Sequence, residues 1–151
     1  MSGNSDFKII GHRGAAGLQF ENTIGSILEA LKYGVDFVEI DVWETTDNEI
    51  IVFHDAYLNR LSSEGGFIYE MNYAAIKAIK LNNGDRIPTL REVIQIIKDH
   101  KVKLFVEVKS ENALSKTVEL LSKNLSYSQF IIGSFFHKSI MDLKKIRQLY
   151  T

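Results

Sequence analysis

The 151-residue chain contains no cysteine and a single proline, Pro88. Without cysteine there is no disulfide framework, no thiolate zinc site and no cysteine nucleophile. A basic surplus is missing as well. Eighteen Lys and Arg stand against nineteen Asp and Glu, a formal net charge of −1, which argues against a nucleic-acid or anionic-membrane footprint. No stretch approaches the roughly 20 apolar residues that span a bilayer. The start, Met1-Ser2-Gly3-Asn4-Ser5-Asp6, lacks the basic and apolar regions of a leader, so a soluble cytoplasmic protein is the expectation. Patterns such as Gly-x-Gly-x-x-Gly, the P-loop and Gly-x-Ser-x-Gly are absent too. What remains is an ordinary globular composition, 45% apolar and 25% charged, long enough for one domain with a sizeable core.

Short apolar runs alternate with amphipathic ones. Residues 7–11 read as a buried strand. Ile24, Ile27, Leu28 and Leu31 then fall on one helical face, with Gly34 as the stop. Strands are expected over about 36–42 and 49–53, joined by Thr46-Asp47-Asn48. After Pro88, Thr89-Leu90-Arg91-Glu92 fits a capping box, and Leu90, Val93, Ile94 and Ile97 supply the stripe. A strand over 103–109, a helix over 112–124, a strand over 130–134 and a helix from about 138 complete the reading. Residues 55–88 break the rhythm, holding turns at Ser62-Ser63-Glu64-Gly65-Gly66 and Asn82-Asn83-Gly84-Asp85 around a short helical pattern near 72–79. A structureless loop that long is improbable in a compact domain, so this segment is read as a small inserted subdomain beside the strand ends.

Five polar signatures accompany these runs. His12-Arg13-Gly14 follows the first strand, Glu21-Asn22-Thr23 precedes the first helix, and Glu39-Ile40-Asp41 lies within the second strand. His54-Asp55 follows the third strand, and Glu107-Val108-Lys109 ends the fourth. Charged side chains in apolar strands are normally paired or hold a metal. Their recurrence at strand C-terminal ends in an alternating chain points to one shared site, where α/β barrels keep their chemistry.

Strand side chains alternate faces, so Phe37, Glu39 and Asp41 share one face, as do Phe105, Glu107 and Lys109. The opposite faces are apolar and suit packing against helices. The acidic faces then look inward near the barrel mouth, where three carboxylates would repel one another. A hard divalent cation, Mg²⁺ or Ca²⁺, resolves this with all-oxygen ligation from Glu39, Asp41 and Glu107. A metal-free network with Arg13 and Lys109 is the alternative. His12 and His54 stand just past their strands, placed to act as general base and general acid. With Arg13 and Lys109 to hold an anion, phosphate chemistry is the economical explanation. Trp43 shares the parity of Glu39 and Asp41 and either walls the site or packs in the core. His100 reads as a solvated helix end, and His137 as a loop or capping residue.

The order His-Arg-Gly, Glu-Asn-Thr, Glu-x-Asp, His-Asp, Glu-x-Lys resembles the glycerophosphodiester phosphodiesterase family over residues 8 to about 136. The resemblance implies a TIM-type (β/α)₈ barrel with an insertion after His-Asp, and metal-dependent hydrolysis of glycerophosphodiesters to glycerol 3-phosphate and an alcohol. It implies the same ligands, Glu39, Asp41 and Glu107, the acid/base pair His12 and His54, and phosphate binding by Arg13 and Lys109. It further implies supporting roles for Glu21 and Asn22. Phe20 stands where the family usually has proline, and Leu58-Asn59-Arg60-Leu61-Ser62 departs from Leu-Asp-Arg-Thr-Thr.

Length is the larger departure. A closed barrel takes about 250 residues, whereas this chain shows five strand signals. It is therefore expected to form a single partial-barrel domain over residues 1–151, with open edges that invite self-association or a complementing chain. A phospholipase-D-like enzyme and an inactive interaction module are the competing readings.

Overall fold

The computed structural model describes residues 7–136 and Met141. The helix expected from about residue 138, and His137, lie outside them. The described elements are β1 (Ile10–Gly11), α1 (Ile24–Lys32), β2 (Phe37–Glu44), β3 (Ile50–Val52), α2 (Tyr73–Ala78), α3 (Leu90–Ile97), β4 (Lys103–Val108), α4 (Ala113–Asn124) and β5 (Phe130–Gly133). Two 3₁₀ turns, Leu58–Arg60 and Ile68–Glu70, precede α2.

Local chemistry sets the helix ends. Thr23 caps α1, its hydroxyl accepting from the Ser26 amide at 3.1 Å. The helix closes where the Gly34 amide donates to Leu31 with Gly34 at φ +66°, a conformation open to glycine. The capping box of α3 is complete: Thr89 accepts from the Glu92 amide at 3.2 Å, and Glu92 accepts from the Thr89 amide at 2.8 Å.

Four strands, in the order β1-β2-β4-β5, pair in parallel, and β3 pairs with β2. Val38, Ile40 and Val42 of β2 and Leu104, Val106 and Val108 of β4 are buried with Ile27 of α1, the α3 stripe and Leu121 of α4. That face belongs to the helices. The other face carries Phe37, Glu39 and Asp41 beside Phe105 and Glu107, with Asp41 in register with Glu107 and Glu107 with Gly133. A parallel α/β sheet helix-covered on one face, with its polar residues toward the strand C-terminal ends, is the partial TIM-type barrel expected.

Two elements differ from the sequence reading. The expected buried strand over 7–11 is only Ile10–Gly11, and Phe7, Ile9 and Ile10 are half-exposed or more. An apolar run predicts burial only where neighbours cover it, and β1 pairs with β2 alone among the described residues. The third strand runs antiparallel to the end of β2, Val42 opposite Val52 and Glu44 opposite Ile50. Alternation does not reveal strand direction; the short turn after Glu44 permits only a hairpin. The parallel strands of the barrel layer are therefore four.

Residues 55–88 are ordered around a second apolar cluster. Leu58, Leu61, Ile68, Ile76, Ile79, Leu81 and Ile87 pack with Ile51 and Phe53 of the β3 region, and Phe20 and Trp43 lie against them. This cluster joins the segment to the hairpin and to the loop after β1.

Candidate active site

The turn after β1 is built by close approach. Ser26 donates its hydroxyl to the Arg13 carbonyl at 2.8 Å and accepts from the Ala15 amide at 2.8 Å. Gly14 sits at φ +81°, and a Cβ there would lie 2.4 Å from the Ser26 hydroxyl, so only glycine fits. Arg13 and Asn22 hold left-handed backbones, φ 50° and 56°, linked by the Asn22 amide donating to the Arg13 carbonyl at 3.0 Å. Such conformations persist where surrounding contacts impose them. Here they aim the Arg13 amide at Glu39 (2.7 Å to Oε2) and the Asn22 side chain at Asp41 (2.9 Å from Nδ2 to Oδ2).

Glu39, Asp41 and Glu107 each offer an oxygen within 4.8 Å of the others. Glu39 and Asp41 are 6% and 1% exposed. Lys109 reaches Glu107 at 2.6 Å and Asp41 at 3.2 Å. Burial would depress the Lys109 amine, but the Glu107 hydrogen bond and the Asp41 charge outweigh it and raise its pKa. Arg13 Nη1 donates to Glu21 at 2.9 Å, and Nε lies 3.5 Å from Asp41, buried and without a hydrogen-bond partner. Glu39 has no Lys or Arg side chain within salt-bridge reach among the described residues; its nearest basic side-chain atom is His12 Nε2 at 4.0 Å. Burial, then the charges of Asp41 and Glu107, push its carboxyl from 4.5 up to about 7, against the Arg13 amide bond.

Both readings of the carboxylates are thus visible in one cluster. Lys109 and Arg13 meet part of the charge, and Glu39 is left short of positive charge. A shortfall at buried, all-oxygen donors is what a hard cation would make good, so the residues present fit a divalent metal.

The histidines are placed differently from each other. His12 is 69% exposed at the rim. His54 is half-buried, its Nδ1 2.6 Å from Asp55 Oδ1, and its carbonyl accepts from the Trp43 indole at 3.2 Å. The Phe53 amide, just before it, donates to the Asp41 carbonyl at 3.0 Å. Trp43 packs against Tyr69, ring centroids 6.0 Å apart, and with Lys109, Ser110 and Phe136 lines a cavity of about 530 Å³.

Sequence reasoning named two residues here without giving either a role. Asp55 orients His54, and Arg60 contacts Asp55 at 2.5 Å and Glu21 at 2.6 and 3.0 Å. The Arg60 and His54 bonds overcome burial and hold Asp55 below its ordinary value, as Arg60 and Arg13 do for Glu21. Adjacency to His54 was the available signal for Asp55. Nothing short of the fold brings Arg60 to Glu21. His100 is exposed, as read, with Nδ1 2.7 Å from the Ile96 carbonyl.

A partial parallel barrel with carboxylates and basic groups clustered at its strand ends is the arrangement of a TIM-type barrel with a polar site at the mouth. Residues 12–149 match the glycerophosphoryl diester phosphodiesterase family, and the chain belongs to it. It is 33% identical to a glycerophosphodiester phosphodiesterase of Caldanaerobacter subterraneus over 91% of this chain and 62% of that protein. Lysophospholipase D GDPD1 of Mus musculus is 28% identical over 88% of the chain and 46% of its own length. An Oleispira antarctica phosphodiesterase, solved with sn-glycerol-3-phosphate as product, superposes with a TM-score of 0.85 at 30% identity, covering 92% of this chain and 62% of that one. The chain thus spans about three fifths of the length of the first relatives it matches. No helix among the described residues is long and apolar enough to cross a membrane.

Proposed function

We propose that this chain carries the catalytic half of a barrel that hydrolyses glycerophosphodiesters to glycerol 3-phosphate and an alcohol. The observation that carries this reading is the convergence of Glu39, Asp41 and Glu107 with Lys109, Arg13 and His12 at the strand ends. Glu39, Asp41 and Glu107 would hold Mg²⁺ or Ca²⁺, with Asn22 steadying Asp41. Such a cation, when bound, supplies Lewis-acid stabilisation of charge on the phosphoryl group. Arg13, whose side chain is partly exposed at the site, would bind a phosphoryl oxygen, and Lys109 would meet developing charge beside it. One of His12 and His54 would take the proton of the attacking hydroxyl. The other would protonate the departing alkoxide as the phosphorus–oxygen bond breaks. Asp55 holds the Nδ1 side of His54, leaving Nε2 for the substrate.

The test is hydrolysis of glycerophosphocholine and glycerophosphoethanolamine with Mg²⁺ or Ca²⁺, then with EDTA, using His12→Ala and Glu39→Ala as controls. Activity surviving both chelation and Glu39→Ala would refute the metal mechanism. A folded wild-type chain without activity would favour a binding role. A second reading, a lysophospholipase D, gains support from an aromatic row beside the site. Tyr57, Phe67, Tyr69 and Trp43 meet in series, edge-on between Tyr57 and Phe67, stacked between Phe67 and Tyr69 and tilted between Tyr69 and Trp43, and this partly exposed row suits an acyl chain. Lysophosphatidylcholine turned over faster than glycerophosphocholine would select it. Among the described residues β1 and β5 each pair on one side only, which favours association with a second copy or a complementing chain; a strictly monomeric sedimentation profile would count against that.

A further inference from the structure

Arg60 lies on the 3₁₀ turn of the 55–88 segment. Its guanidinium makes three hydrogen bonds: Nε to Asp55 Oδ2 at 2.5 Å, Nη2 to Glu21 Oε1 at 2.6 Å and Nη1 to Glu21 Oε2 at 3.0 Å. Each carboxylate is shared onward. Glu21 also accepts from Arg13 Nη1 at 2.9 Å, and the second oxygen of Asp55 meets His54 Nδ1 at 2.6 Å. The result is a continuous hydrogen-bonded row, Arg13–Glu21–Arg60–Asp55–His54. It runs from the loop after β1 to the loop after β3, two stretches far apart in sequence.

The Arg60 side chain is 44% exposed, and exposed ion pairs add little to folding stability. The geometry explains more than the strength does. A flexible histidine at a loop start has many orientations, and Asp55 can select one only if Asp55 itself is held. Arg60 holds it, and the same guanidinium holds Glu21 against Arg13. Lysine cannot substitute, because a single ammonium does not reproduce a bidentate grip on one carboxylate together with a third bond to another.

We propose that Arg60 is a positioning residue that sets His54 and Arg13 relative to one another, and so ties the 55–88 segment to the chemistry of the mouth. The catalytic consequence rests on the reading that His54 and Arg13 act on a phosphodiester; the structural one does not. Arg60→Met should leave the unfolding midpoint nearly unchanged while lowering kcat about 10- to 100-fold, the scale of a small misplacement of a reacting group. Arg60→Lys should recover little of this, and added guanidinium should restore part of it in Arg60→Met. A readout independent of turnover is the proton NMR signal of His54 Nδ1–H. It should be protected from water exchange in the wild type and exchange at least several-fold faster in Arg60→Met and Arg60→Lys. Wild-type-like exchange in the folded Lys or Met variant overturns the proposal, as does a kcat within twofold of wild type. If the wild type hydrolyses no phosphodiester, the functional reading falls and the exchange comparison alone decides for or against the row.

Discussion

Glu39 offers the sharpest quantitative test of the carboxylate cluster. The residue is 6% exposed, and burial holds its carboxyl at a pKa of about 7 in the folded, metal-free chain, against an ordinary 4.5. At about 1.4 kcal/mol per pKa unit, that gap corresponds to about 3 kcal/mol. The folded state retains the Glu39 proton more tightly than the unfolded state does. Its contribution is therefore fully present below about pH 4.5 and is lost as pH rises through about 7, so the metal-free protein weakens across that window. Other groups titrate there too, which makes the informative quantity a difference. Urea unfolding of wild type and Glu39→Gln should be followed in EDTA from about pH 4.5 to about pH 8.5. The stability of wild type minus variant should fall by about 3 kcal/mol across the range. With saturating Mg²⁺ or Ca²⁺ the fall should shrink, because the cation competes with the proton for the same oxygens. A flat difference curve in EDTA would refute the claim that Glu39 is buried without adequate positive charge.

Three further outcomes follow from named contacts. Asn22→Gly keeps the left-handed backbone at this position but removes the amide that holds Asp41, and should lower divalent-cation affinity about 10- to 100-fold by calorimetry. Gly14→Ala forces a Cβ to 2.4 Å from the Ser26 hydroxyl at φ +81°; urea unfolding should show a loss of about 2 kcal/mol or more. Thr89→Ala breaks the capping box of α3 and should cost about 1 kcal/mol in the same assay, with little change in hydrolysis.

How much was legible beforehand depended on the range over which each signal acts. The capping box at Thr89, the stripe Leu90–Val93–Ile94–Ile97 and the alternation in β2 and β4 are local, and all three appear as read. The same alternation put Glu39, Asp41 and Glu107 on one face, and the parallel register of β2 with β4 brings them together. Strand direction and edge position are not local. Residues 7–11 and 49–53 look alike in composition to buried parallel strands, yet one is a half-exposed edge and the other an antiparallel hairpin arm. Arg60 belongs with these. Thirty-nine residues separate it from Glu21, and no spacing rule anticipates that pairing.

The two apolar clusters imply a graded failure. The carboxylates stand on strands rooted in the larger cluster, whereas His54 and Asp55 adjoin the smaller one formed with residues 55–88. Under the proposed function, gentle heating that loosens the smaller cluster first would leave a molecule that still binds a cation at Glu39, Asp41 and Glu107 but has lost the placement of His54. Catalysis would then vanish at a lower temperature than ion binding, and the interval between the two would measure how independently the smaller cluster melts.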